Sequence, residues 1–203
     1  MSDALVLFDH PDSTNAIKVR ILLTELDQEA RLVEVPLSGE RSAQYLALHP
    51  FGLIPTLVDG DLVVTESNTA LRYLAERADR WDLRGVDAVQ RARIDVLLDS
   101  LSLEVRPYLW GVEEYAYYGL PVADSERPGR LDALRRALEG FDRLLDPGGP
   151  HAVGEAFTIA DCAITGRFLH LDGLPLEPAV APRLRRLMAA TRRRPSFSKA
   201  AQP

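Results

Sequence analysis

Two short polar clusters carry the side chains that could do chemistry. Glu66-Ser67 offers a carboxylate and a hydroxyl where a helical pattern begins, so both meet the positive end of a helix macrodipole. Ser13, Thr14 and Asn15 are helix N-cap residues standing ahead of Val19, Leu22, Leu23 and Leu26, the spacing of an amphipathic helix. Between the clusters runs Ile54-Pro55-Thr56-Leu57-Val58-Asp59-Gly60. Pro55 stands there at the mouth of a strand, where a missing N–H costs no ladder hydrogen bond. A backbone loop beside a polar, anion-ready helix start suits a ligand that is itself peptide-like.

The elements that must position these residues follow from periodicity. Leu5-Val6-Leu7-Phe8 reads as a buried strand closed by His10-Pro11-Asp12, and Ala30 to Val35 as a second. Ser42 to Leu48 is a short helix ended near Pro50. Asp59-Gly60, between Leu57-Val58 and Leu62-Val63-Val64, predicts a two-residue β-hairpin. A helix from about Ser67 to Ala78 completes the order β-α-β-α-β-β-α, which implies a mixed sheet flanked by helices. Residues 79–85 are polar and end in glycine, the composition of a linker. Beyond them every pattern is helical. Ile94, Leu97, Leu98, Leu101 and Val105 form one stripe, with Pro107 expected to kink or end that helix. Leu131, Leu134, Leu138, Phe141 and Leu145 form another, stopped by Pro147-Gly148-Gly149-Pro150, and Ala160, Ala163, Ile164, Phe168 and Leu171 a third. A last helix is expected from about Pro182 to Arg193. The expected organisation is an α/β domain over residues 1–78, a linker over 79–85 and an all-α domain over 86–203.

The bulk composition narrows the function class. With 46% hydrophobic and 27% charged residues the chain has an ordinary globular balance. A net charge of −6 argues against an electrostatic grip on nucleic acid or an anionic membrane. No apolar run approaches the ~18 residues that span a bilayer. Met1-Ser2-Asp3-Ala4 lacks a basic region with an apolar stretch behind it, so no signal peptide is expected and a cytoplasmic location is the default. The single Cys162 excludes an intrachain disulfide and any CxxC pair; beside apolar positions inside a helix it reads as a small core residue. His10, His49, His151 and His170 show no i, i+4 metal pair, and no metal is expected.

Four runs of the sequence resemble the cytosolic glutathione transferase superfamily, in a serine/asparagine-type, bacterial-like form. Pro11-Asp12-Ser13-Thr14-Asn15-Ala16-Ile17-Lys18-Val19-Arg20 resembles its P-x-S-x-N-x-x-K-V-R helix start. Tyr45 to Leu57, with His49-Pro50-Phe51-Gly52 and Ile54-Pro55-Thr56-Leu57, resembles F-L-x-x-N-P-x-G-x-V-P-x-L, except that His49 replaces the usual asparagine. Glu66-Ser67 matches the E-S pair, and Thr158-Ile159-Ala160-Asp161 the S/T-x-x-D capping box of the helical domain. The resemblance covers essentially the whole chain. It implies a thioredoxin-like domain before a helical one, a cis Ile54–Pro55 bond, a homodimer with Phe51 and Arg72 as interface candidates, and glutathione as co-substrate.

The same resemblance assigns roles. Ile54 and Pro55 would present backbone to the cysteinyl residue of glutathione as a short strand addition. Glu66 and Ser67 would take its γ-glutamyl ammonium and carboxylate; a plain N-cap with an acidic first turn is compatible with that role. Arg41 would reach the glycine carboxylate, with a solvated surface arginine as the alternative. A thiol near pKa 8.5 is only about a few per cent ionised at neutral pH, and each unit of depression is worth about 1.4 kcal/mol. A hydroxyl or amide donor at a helix start supplies that depression, so Ser13 is the first catalytic candidate and Asn15 the second. No tyrosine stands in this stretch, so a tyrosine-type transferase is not expected. Trp110, Tyr115 and Tyr118, past Pro107, would line a pocket for a flat apolar or aromatic electrophile, unless they fold into the core. Disulfide or peroxide reduction, dehalogenation or isomerisation would use the same thiolate. A non-catalytic protein-interaction module is the rival class, against which the retained polar cluster weighs.

Overall fold

The computed structural model describes residues 4–177 and 179–201; Met1-Ser2-Asp3, read above for a leader, and Pro178, Gln202 and Pro203 lie outside them. The chain opens with β1 (Leu5–Asp9), α1 (Ala16–Glu25), β2 (Ala30–Glu34), α2 (Ala43–Leu48), β3 (Thr56–Asp59), β4 (Leu62–Val64) and α3 (Ser67–Arg77). The sheet order is β2-β1-β3-β4, with β1 parallel to β2 and antiparallel to β3. This is the mixed sheet with flanking helices that the pattern predicts.

The hairpin differs from expectation by one residue. Asp59 pairs with Leu62, so the loop is Gly60-Asp61 and Asp59 ends the strand. Gly60 alone takes positive φ, +57°, as in hairpin turns with glycine at the first central position. Asp59 is held in the strand because its carboxylate is wanted elsewhere: it accepts from the Tyr73 hydroxyl at 2.6 Å and pairs with Arg77 at 2.5 Å, both on α3.

After α3 the chain is helical: α4 (Trp81–Arg84), α5 (Ala88–Ser100), α6 (Arg106–Ala116), α7 (Arg127–Asp142), α8 (Ile159–Arg167), α9 (Pro182–Arg192) and α10 (Pro195–Ala200). The stretch read as a linker therefore carries a turn of helix. Arg84 within it is buried and ties α3 to α5 through Glu76 at 2.8 Å and Asp95 at 3.1 Å. Pro107 does not end its helix. A π turn over Leu101–Val105 joins α5 to α6, and Pro107 falls in the first turn of α6, where its missing N–H is tolerated.

Helix α1 is not the amphipathic helix its leucine spacing suggests. Every residue from Ala16 to Leu23 is buried, because α3, α8 and α10 all pack against this helix. The approach to α8 is close: a Cβ on Gly166 would lie 2.7 Å from the Lys18 Cβ and 3.0 Å from its backbone nitrogen. Helix α8 begins with the expected capping box, in which Asp161, fully buried, accepts the Thr158 N–H at 2.8 Å and the Ala152 N–H at 2.9 Å. The far end of α1 is strapped by α10 and the residue before it. Arg194 makes two 2.7 Å bonds to the Glu25 carboxylate, which Ser196 also contacts. Cys162 is fully buried among these packed residues, and burial pushes its thiol well above the ordinary range. No helix among the described residues is long and apolar enough to cross a membrane.

Candidate active site

The loop between β1 and α1 is held by Arg20. Its guanidinium donates to the Pro11 carbonyl at 2.8 Å and lies 3.5 Å from the Asp9 carboxylate. Burial raises the Asp9 pKa, with Arg20 pulling the other way. This clamp places Ser13, Thr14 and Asn15 at the start of α1. Ser13 is buried and its Oγ accepts the Ala16 N–H at 3.2 Å, which leaves the hydroxyl hydrogen for a ligand. The Thr14 Oγ1 accepts from Arg167 of α8 at 2.8 Å. Asn15 makes no capping bond with its side chain.

These residues border one cavity of about 320 Å³, whose walls also include Arg41, Ile54, Pro55, Glu66, Ser67, Trp110 and Tyr118. The Ile54–Pro55 peptide is cis. The Ile54 N–H and C=O have no protein partner among the described residues. The loop itself is fixed from below by Tyr45, whose hydroxyl donates to the Leu53 carbonyl and lies 3.0 Å from the Thr56 Oγ1. His49, where the resembling pattern has asparagine, still bonds within the turn: its Nδ1 accepts the Phe51 N–H at 3.3 Å. Gly52 is required in that turn, since its φ is +62° and a Cβ would meet the Arg41 side chain at 2.9 Å. Glu66 is the N-cap of α3 and, like Ser67, makes no side-chain hydrogen bond or ion pair among the described residues.

Arg41 is neither a free ligand arm nor a solvated surface residue. Its Nε donates to the Gly52 carbonyl at 2.8 Å and one terminal nitrogen to the Leu37 carbonyl at 3.3 Å. The other terminal nitrogen, Nη1, is buried and unpartnered among the described residues. Trp110 and Tyr118 pack on each other with ring centroids 5.4 Å apart at the cavity wall and stay half exposed. Tyr115 is not with them. It packs against the core on the other side of α6, with the Arg127 guanidinium over its ring at 5.3 Å. The reason is helical spacing: Trp110 and Tyr115 differ by five residues, about 140° around a helix axis.

Several cavity residues had no sequence signal assigned to them. Lys18 is buried and its Nζ donates to the Asn68 Oδ1 at 2.7 Å; Asn68 in turn donates to the Leu98 carbonyl at 2.9 Å and the Ser102 hydroxyl at 3.1 Å. Burial lowers the Lys18 pKa to about 7, aided by the charges of Arg167, Arg106 and Arg72 and opposed by Glu66. Glu113 of α6 is buried against Arg167 at 2.8 Å, and burial raises its pKa despite that partner. The available clue was a lysine and an arginine inside a helix otherwise wholly apolar on its inner turns, where an unpaired charge is costly.

Set beside known proteins, residues 7–81 match the family described as glutathione S-transferase, N-terminal domain. Glutathione S-transferase F9 of Arabidopsis thaliana is 34% identical over 154 residues, covering 71% of each chain. The chain belongs to the glutathione S-transferase family. A probable maleylacetoacetate isomerase of Vibrio cholerae is 26% identical over 205 residues, 98% of this chain and 95% of that one. Among solved structures, the theta class glutathione S-transferase of Xanthomonas axonopodis pv. citri with glutathione bound superposes with a TM-score of 0.83 at 26% identity, covering 100% and 99% of the two chains. The α/β unit is thus the thioredoxin-like domain of a glutathione S-transferase, followed by its helical region.

The buried lysine of this glutathione S-transferase has a consequence for stability. Lys18 has a folded pKa near 7, below the ordinary lysine value of 10.5, so between the two the unfolded chain binds more protons and stability rises with pH. Urea unfolding of the wild type should gain up to about 1.4 kcal/mol per pH unit above pH 7 relative to Lys18→Met. Parallel pH profiles for the two proteins would show that Lys18 stays an ammonium in the fold, and would overturn the lowered pKa.

Proposed function

We propose that the chain is a glutathione transferase of the serine/asparagine type, holding the glutathione thiolate at the start of α1 and presenting it to a small electrophile beside α6. The observation that carries this reading is the convergence of unpaired groups on one cavity: the Ile54 backbone, the Glu66 carboxylate, the Ser67 hydroxyl and the Arg41 Nη1. Each has the chemistry that one part of glutathione needs. Ile54 pairs with the cysteinyl backbone, with Pro55 shaping the loop. Glu66 takes the γ-glutamyl ammonium, Ser67 and the first N–H groups of α3 its carboxylate, and Arg41 the glycine carboxylate. The Ser13 hydroxyl donates to the sulfur and the Asn15 amide is the second donor. Trp110 and Tyr118 offer a flat face for the electrophile.

A second reading, glutathione-dependent isomerisation, is favoured by the full-length likeness to the probable maleylacetoacetate isomerase, and it uses the same thiolate. A thiol co-substrate fits a cytoplasmic location, where glutathione keeps thiols reduced. The proposal includes a twofold homodimer. Phe51, 82% exposed, is the apolar knob for such a contact. Arg72, the other interface candidate, already spends its guanidinium on Asp95 at 2.7 Å and Asp99 at 3.1 Å of its own chain.

Calorimetric titration with glutathione tests the binding assignment. Glu66→Ala should weaken binding by about 1.5–3 kcal/mol, the worth of a charge-assisted hydrogen bond; unchanged affinity in a folded variant removes Glu66 from the site. Ultraviolet titration of the bound thiolate ranks the donors. Ser13→Ala should raise its apparent pKa by about one unit, worth about 1.4 kcal/mol, with a matching drop in turnover, and Asn15→Ala should do less. A larger effect at Asn15 reverses that order, and none at either removes both. Light scattering at micromolar concentration should give twice the 22.5 kDa chain mass, and a single-chain mass would contradict the dimer.

A further inference from the structure

The wall of the cavity formed by α6 is less apolar than a pocket for a purely hydrophobic electrophile would be. Its cleft-facing stripe runs Ser102, Arg106, Trp110 and Glu113. Glu113 is already neutralised by Arg167 at 2.8 Å. Arg106 is exposed to the cavity and has no hydrogen-bond or ion-pair partner among the described residues. In the same cavity Lys18 is buried, 3% exposed, and its one hydrogen bond among the described residues is to a neutral amide oxygen, while the buried Nε of Arg167 has no hydrogen-bond partner among them. Opposite them stands one carboxylate not otherwise assigned, Asp12, exposed on the rim.

Building on the proposed function, we infer that the electrophile is an anion, specifically a flat molecule carrying a carboxylate that pairs with Arg106 while its ring lies on Trp110. The spacing sets the size. Arg106 and Trp110 are four residues apart on one helix face, about 6 Å along the axis, close to the distance from a ring's reacting edge to a carboxylate on the opposite edge. A guanidinium meets a carboxylate in a two-pronged bond and stacks beside an aromatic face, which a lysine in its place does less well. Glutathione's own carboxylates are directed by the reading above to the α3 start and to Arg41, on the other wall, so they leave Arg106 unused.

Isothermal titration of the whole protein with two glutathione conjugates tests this without depending on turnover. S-(4-carboxybenzyl)glutathione and S-benzylglutathione share every glutathione contact and differ in the carboxylate. The wild type should bind the acid at least about tenfold more tightly, the worth of a charge-assisted pair. Arg106→Gln should reduce that preference to within about twofold, the remainder being the diffuse field of the other cations, and Arg106→Lys should keep part of it. Equal affinity for the two conjugates, tighter binding of the benzyl conjugate, or an Arg106→Gln loss shared equally by both would overturn the inference. In each of these cases unaltered binding of glutathione itself would leave the proposed function standing. Absence of binding by glutathione and both conjugates would overturn the two together.

Discussion

The contact between α1 and α8 at Gly166 governs where everything else in this chain can lie. With no side chain at 166 the two helices approach until Lys18 fills the space, and a Cβ there would meet the Lys18 Cβ at 2.7 Å and its backbone nitrogen at 3.0 Å. That approach buries α1 on every side and so places the residues that lead into it, Ser13 to Asn15, where the sheet unit meets the helical region. It also brings Arg167, the neighbour of Gly166, within 2.8 Å of Thr14. A methyl group at this point would push apart two well-packed helices, and overpacking of that kind typically costs about 1–3 kcal/mol.

The site inherits its character from that burial. Elements from both parts of the chain converge on it, so its charges are partly cut off from water and act on one another. Lys18, Glu113 and Asp9 all shift against their charged forms, each chiefly because it is buried. Arg20 and Arg167 offset part of that cost with direct contacts, and both hold backbone or side chains of the β1–α1 loop. The loop is therefore rigid for an electrostatic reason as well as a steric one. Preorganised donors of this type stabilise a developing anion without having to rearrange.

Much of this was legible in the sequence because it is local. The order of elements follows from apolar spacing and turn residues, and the capping box at Thr158 and Asp161 sits where its spacing puts it. Glu66-Ser67 at the start of α3 is equally a matter of neighbouring residues. What escaped depended on distant partners. The hairpin turn moved by one residue because Asp59 is claimed by Tyr73 and Arg77 on α3. Helix α1 looked amphipathic from the spacing of Val19, Leu22, Leu23 and Leu26, yet Lys18 and Arg20 are buried too, one bonded to Asn68 and the other to the Pro11 carbonyl. Tyr115 was grouped with Trp110 by proximity in sequence, although helical geometry turns it to the opposite side.

The strap across the far end of α1 has a mechanical meaning. Helix α1 is a short rod with the sulfur-directed residues at one tip and Glu25 at the other, gripped by Arg194 and touched by Ser196. Force applied at α10 has a direct load path through Arg194 and Ser196 into that rod. A fusion partner or surface tether joined there would pull on the rod that ends at Ser13 to Asn15, whereas the Gly60-Asp61 hairpin reaches α1 only indirectly, through the Asp59 contacts with α3. For immobilising this chain, the hairpin is the quieter handle.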